Sequence, residues 1–233
     1  MSVHPLITSQ LFARHPADVM AAGLLMHFEG KDQSTSFFDQ KFHAVSASGN
    51  AKLVGAQSKF GSTSFNVAAG GGDRAQITTD ASIRFGTDDL TVDFWIRTNG
   101  AQSAFTSVMG NRTTGDTGWI IWVGAASANT LAVGTVNTQP FVESTNTIPA
   151  SAWTHCAWTR TGGRNYVFIN GVSGGSTTTG GAFNFSETGA IWIGQDPGFN
   201  SFDYNGNIAE LRMIRGRAVW ASDFTPPNRP YLG

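Results

Sequence analysis

The nine residues Leu90–Thr98 (LTVDFWIRT) restrict the fold more than any other part of the chain. Leu90, Val92, Phe94 and Ile96 face one way along an extended strand, and Thr91, Asp93, Trp95 and Arg97 face the other. Alternation of β-branched and aromatic residues with period 2 is the pattern of a half-buried β-strand. Further short runs read as strands: Leu24–Phe28, Ser64–Val67, Ala75–Thr79, Phe105–Met109, Trp119–Val123, Leu131–Val136, Trp153–Thr159, Tyr166–Asn170, Ala190–Ile193 and Asn207–Ile214. Glycine-rich turns separate them. Asn170-Gly171 suits a tight hairpin because both residues tolerate positive φ. Gly70–Asp73 reads as a hairpin loop between the flanking strands, and Gly174–Gly181 (GGSTTTGG) as an exposed hairpin tip. No helical pattern exceeds a turn or two, so the fold class is all-β, a sandwich or a barrel.

A chain of 233 residues is within the size of one all-β domain. Residues 1–22 stand apart: Pro5 and Pro16 interrupt them, and Leu6, Ile7, Leu11 and Phe12 follow no strand period. Flexible linkers rarely combine such residues, so this arm reads as a strap that docks on a neighbouring subunit, ahead of a domain over 23–233. Fifteen Lys and Arg balance sixteen Asp and Glu, which excludes the basic face of a nucleic-acid binder. No apolar run approaches the ~18 residues of a membrane span, so no membrane insertion is expected. The first residues lack a cationic leader, and no secretion signal is read there. Cys156 is alone, which removes a disulfide framework and a cysteine zinc cage; between Trp153 and Trp158 it is expected to be buried. All four lysines fall between 31 and 59, as a solvated face or a cationic docking patch.

Catalytic patterns are missing. A retaining glycosidase needs two carboxylates about 5–5.5 Å apart, yet Glu29, Glu143, Glu187 and Glu210 lie far apart in sequence. There is no G-x-S-x-G elbow, and His155, beside Trp153 on a strand, reads as a satisfied sheet histidine. His4, His15, His27 and His43 lack metal-ligand spacing.

Three segments carry a family resemblance: FGTDDLTVDFWIR (Phe85–Arg97), AWTHCAWTRTGGRNYVFINGV (Ala152–Val172) and AIWIGQDPGFNSFDYNGNIAELRMIRGRAVWASDFTPP (Ala190–Pro227). In order and spacing they resemble the laminin G and pentraxin type of the concanavalin A-like lectin/glucanase superfamily, from Leu24 to the end. The resemblance implies a two-sheet antiparallel jelly-roll sandwich without catalytic function. Ala218–Pro227 (AVWASDFTPP) is similar to the ending of laminin G-like modules common in tailed-phage virion proteins. That implies a virion surface protein, a head-decoration or tail-fibre subunit, which docks on other virion proteins through residues 1–22, assembles as a homo-oligomer or lattice, and adheres to host cell-surface polysaccharide. The alternative is a glycan-binding lectin module, calcium-dependent or not; a glycoside hydrolase is third.

The segment Ile193–Asp196 (IGQD) resembles the start of the pentraxin calcium loop, which implies Ca²⁺ ligands at Gln195 and Asp196, with Asp116 from the turn before Trp119. Pro197-Gly198 departs from the acidic continuation, leaving few of the 6–8 oxygens that Ca²⁺ takes; the other reading is turn residues that cap backbone amides. The candidate glycan contacts are Trp119, Phe199, Phe202, Tyr204 and Asn205, unless the loop folds its aromatics onto the sheet edge. Trp119 and Trp122 have opposite parity, so one faces the core. Glu210 is expected to pair with Arg212 or a neighbour, and Arg215 and Arg217 to share a basic stripe.

Overall fold

The computed structural model describes residues 21–113, 115–199 and 202–231, and over these the chain is a sandwich of two antiparallel sheets. The eight-stranded sheet contains β1 (Ala22–Met26), β3 (Lys52–Val54), β4 (Ser64–Val67), β6 (Leu90–Thr98), β11 (Thr154–Thr161), β12 (Arg164–Ile169), β13 (Val172–Thr177) and β15 (Gly206–Arg215). Its order is β13-β12-β11-β6-β15-β4-β3, with β1 also on β15. The seven-stranded sheet runs β10-β9-β8-β7-β14-β5-β2, from β2 (Val45–Ser48), β5 (Arg74–Ile77), β7 (Thr106–Gly110), β8 (Ile120–Val123), β9 (Thr130–Gly134), β10 (Val142–Thr147) and β14 (Ile191–Ile193). The all-β jelly-roll architecture expected from the sequence is present. The N-terminal arm falls, up to residue 20, outside the described residues.

Leu90, Val92, Phe94 and Ile96 enter the core between the sheets, in one buried cluster with Ile121 and Val123 of β8. Trp119 and Trp158 pack at 5.6 Å between ring centroids, and Trp158 donates Nε1–H to Asn165 Oδ1 at 3.0 Å. Fully burying a large apolar side chain contributes roughly 1.5–3 kcal/mol to stability. Cys156 is buried here, and burial pushes its thiol pKa up. Arg160, also buried, spends its guanidinium on the carbonyls of Gly86, Asp88 and Phe183.

Several details correct the sequence reading. β6 is buried on both faces rather than one, because the segment after β15 crosses the outer face of the eight-stranded sheet. Val219 N donates to Thr91 Oγ1, Thr159 Oγ1 donates to Trp220 O, and Tyr231 joins Ala22, Leu25 and Ile214 in a small apolar cluster. The Gly70–Asp73 turn is not a hairpin: β4 and β5 belong to different sheets, so the turn carries the chain across the rim. Residues 174–177 are part of edge strand β13 instead of a tip. There, Thr145 Oγ1 of β10 donates to Gly174 O at 3.1 Å, and a Cβ on Gly174 would strike Ser144. The closing strands of the two sheets thus touch. The turns at Gly162-Gly163 and Asn170-Gly171 do form hairpins, with φ of 55° and 73° and of 50° and 77°.

Candidate functional site

A groove of about 720 Å³ opens at the rim beside the seven-stranded sheet. Four connections build it: the β2–β3 turn at Ser48 and Gly49, the β4–β5 crossing at Gly70–Gly72, the β6–β7 loop at Ser103 and Ala104, and the β14–β15 loop at Gln195, Phe202 and Asp203. The crossing is fixed by Asp73, whose Oδ1 accepts from Asn50 N at 2.6 Å and Oδ2 from Ala68 N at 3.2 Å. Gly194, at φ 100°, opens the β14–β15 loop; a Cβ there would come within 3.0 Å of Asp73 O and the Val67 methyls. Only glycine lets the chain pass so close.

The groove's polar side is one relay. Asp203 Oδ2 accepts from Gly70 N at 2.9 Å, and its Oδ1 accepts from Gln195 Nε2 at 2.8 Å. Gln195 Oε1 accepts from Arg74 Nη1 at 2.9 Å, while the Arg74 guanidinium lies 4.1 Å from the Trp192 ring centroid. One carboxylate and one guanidinium are therefore joined through an amide, and the lining has no net charge left over. Phe202 supplies the apolar wall at 43% exposure; its backbone O accepts from Ser107 N at 2.8 Å. Such a surface, with one aromatic face beside fixed donors and acceptors, suits an uncharged polyhydroxyl ligand.

Beneath the aromatic loop lies a buried ion pair. Arg112 Nε and Nη2 donate to Asp196 Oδ2 at 3.1 and 2.5 Å, and Arg112 Nη1 donates to Thr135 O at 3.1 Å. The guanidinium sits between the rings of Trp122 and Phe199, 4.8 and 5.0 Å from their centroids. Phe199 in turn meets Phe202 edge-on at 5.9 Å. Asp196 also accepts from Gly198 N at 2.9 Å, which sets the turn into the loop.

The candidates from sequence separate here. Phe199 and Phe202 are exposed, at 56% and 43%. Trp119 (1% exposed) and Tyr204 (0%) are core residues and cannot meet a ligand; the outward tryptophan is Trp122, and Arg112 covers it. Burial raises the Tyr204 phenol well above its ordinary pKa. Asn205 ties its loop to Asn99 and Gln102 and does not line the groove. Gln195 lines it, as part of the relay. Arg74 and Arg112 escaped the sequence reading; Arg74 directly follows the Gly70–Asp73 turn, and its signal was hidden by taking that turn for a hairpin.

The donor set does not fit calcium. Asp196 is committed to Arg112, Gln195 to Arg74 and Asp203, and Asp116 accepts from Thr135 Oγ1 and Asn137 Nδ2. Among the described residues no group of three or more His, Cys, Asp or Glu side chains is placed to hold a metal ion. The glutamates are equally engaged. Glu29 accepts from Ser62, Glu143 from the amides of Ala126 and Ser127, Glu187 from Thr113 and Gly189, and Glu210 from Tyr231 N. Glu210 pairs with His27 at 3.0 Å rather than with Arg212, which goes to Asp93; Arg215 pairs with Asp88. His155 is a buried sheet histidine with Nε2 3.3 Å from Asp93 Oδ2.

The family model Laminin_G_3, described as the concanavalin A-like lectin/glucanases superfamily, matches residues 69–219, more than half of the chain. Among curated proteins no sequence is significantly similar. Solved structures with the same fold include domain 4 of an extracellular GH43 arabinanase from Geobacillus stearothermophilus, in complex with arabinotriose: TM-score 0.61, 18% identity, 84% of this chain and 92% of that one. The binding domain of Paraclostridial Mosquitocidal Protein 1 aligns at TM-score 0.64 and 13% identity, over 85% of this chain and 50% of that one. The binding domain of Botulinum Neurotoxin DC, in complex with SialylT, aligns at 0.59 and 13%, over 85% and 49%. The chain thus spans about half the length of these toxin domains. It belongs to the concanavalin A-like lectin/glucanase superfamily.

Proposed function

We propose that this member of the superfamily is a non-catalytic carbohydrate-binding module that takes a neutral oligosaccharide in the rim groove. The observation that carries this reading is the placement of Phe202 beside the Arg74–Gln195–Asp203 relay. A sugar ring would lay its C–H face on Phe202 and exchange hydroxyl hydrogen bonds with the relay, whose charges cancel. Hydrolysis is disfavoured because the groove's lining holds one carboxylate, Asp203, where glycosidases need two. The arabinotriose and SialylT complexes of the fold's relatives are in keeping with glycan adhesion.

Titration of the purified chain with arabinotriose, cellotriose and maltotriose tests this. Phe202→Ala should lower the affinity of the groove about tenfold, the value of ~1.4 kcal/mol, without lowering the melting temperature. Equal affinity in the variant would sink the reading.

The setting of that adhesion is the surface of a virion, in which the chain docks on other virion proteins through residues 1–22; what supports this is the resemblance of Ala218–Pro227 to phage modules. A chain lacking residues 1–22 that still entered particles would count against it.

A further inference from the structure

We propose that the pocket between the end of β1 and the loop that follows it is a second saccharide-contact site, separate from the rim groove. Residues 27–29, 38–40 and 42 enclose about 330 Å³ there, at the low end of small-ligand pockets. Two rings stand at its mouth: Phe38 is 74% exposed and Phe42 94%, far more than any aromatic near the groove.

These rings are held out by a well-anchored loop. Asp39 Oδ1 accepts from Leu25 N at 2.8 Å, Gln40 N donates to Leu25 O at 2.8 Å, and Asp39 Oδ2 lies 2.6 Å from His43 Nδ1. His43 Nε2 in turn reaches Asp80 at 3.3 Å. Phe42 sits at φ 68°, a backbone region that bulky residues seldom adopt. Non-glycine residues held in this region cost free energy and are enriched at binding and switch sites.

The remaining lining suits a sugar. Glu29 binds Ser62 through Oε2, and neither its Oε1 nor the Gln40 side-chain amide has an intramolecular hydrogen bond among the described residues. His27 Nδ1 lies 3.0 Å from both Glu210 oxygens, so that nitrogen carries the hydrogen and Nε2 is an acceptor in the neutral ring. Carboxylate, amide and imidazole can accept from and donate to hydroxyls while Phe38 or Phe42 covers a C–H face. Glu29 is the unpaired charge of the lining, so an anionic ligand is repelled; a neutral sugar is the chemistry that fits.

The test is calorimetric titration of the full chain with arabinotriose, cellotriose and maltotriose, comparing wild type, Phe42→Ala and Phe202→Ala, with sedimentation of each. Two sites are expected in the wild type. Phe42→Ala should remove one, weakening it at least tenfold, and leave the melting temperature and the other site unchanged. One wild-type site, lost in Phe202→Ala and intact in Phe42→Ala, would overturn this proposal and leave the groove reading standing. One site lost only in Phe42→Ala would do the reverse. Absence of binding to all three sugars at millimolar concentration would overturn both. A dimer that dissociates in Phe42→Ala would assign the rings to a second copy of the chain and end the proposal.

Discussion

On the outer face of the eight-stranded sheet, Asp93 accepts from Arg212 Nε at 2.8 Å, from Arg212 Nη2 at 3.1 Å and from the Tyr231 hydroxyl, with His155 beside it. On the other sheet, Asp196 holds Arg112 through the same two guanidinium nitrogens, which here converge on the single oxygen Oδ2. Both pairs are buried, yet what lies over them differs. The first is roofed by the C-terminal segment: Trp220 and Phe224 stack at 3.9 Å, and each packs on His155. The second is roofed by Phe199, which stays half-exposed at the edge of the groove. Buried ion pairs contribute little net stability compared with apolar packing, but breaking one partner is expensive. Their use here is geometric. One pins a segment shut over a sheet, and the other props an aromatic wall beside an open cleft.

The sharpest way to break the comparison is Asp93→Ala. It removes the carboxylate from a buried ion pair and should cost about 3–5 kcal/mol in denaturant unfolding, while sugar affinity below the transition is unchanged. Burial works to raise the Asp93 pKa, but Arg212 and His155 overcome it and bring it down to about 2. With a folded pKa below the unfolded value, the stability Asp93 contributes is present above about pH 4 and lost as pH falls toward 2. The variant should lack that acid transition.

Asp196→Asn keeps the shape but not the charge opposite Arg112. A stability loss smaller than that of Asp93→Ala is expected, accompanied by weaker sugar binding, because Phe199 and Phe202 lose their seat. Unchanged affinity would show that the wall does not depend on the pair.

His43→Gln should have a smaller effect, confined to pH dependence. Burial lowers the His43 pKa, but Asp39 and Asp80 outweigh it and the net shift is upward. The contribution is therefore complete below the ordinary histidine value and lost as pH rises through the folded one. Wild-type melting temperature should drop between about pH 6 and pH 8 more than that of the variant. Smallest of all is the response to metal: EDTA or added Ca²⁺ should leave the melting temperature where it is, since Asp196 already has a cation.

Local signals in the sequence located much of the fold. The alternation in Leu90–Thr98 gave β6 its bounds, and Asn170-Gly171 gave a hairpin, because strand period and positive φ are decided within a few residues. Strands β2, β3, β10 and β13 (VSAS, KLV, VESTNT and VSGGST) escaped notice, since short polar edge strands have little apolar alternation. Whether Gly70–Asp73 closes a hairpin or crosses between sheets depends on partners far along the chain, and so does the roof over Asp93. The site was legible as a loop rich in aromatics. Which of its rings faced out was not: Phe202 and Tyr204 share strand parity, but the loop turns one to solvent and the other into the core.

The contact between β10 and β13 has a further consequence. A sandwich normally ends in rows of unused backbone donors and acceptors that invite another chain to extend the sheet. Here one such border is sealed by the opposing layer pressing against it, through Thr145 and Gly174. Crowded copies of this molecule should therefore meet through side chains and loops, and resist growing into fibres along that flank.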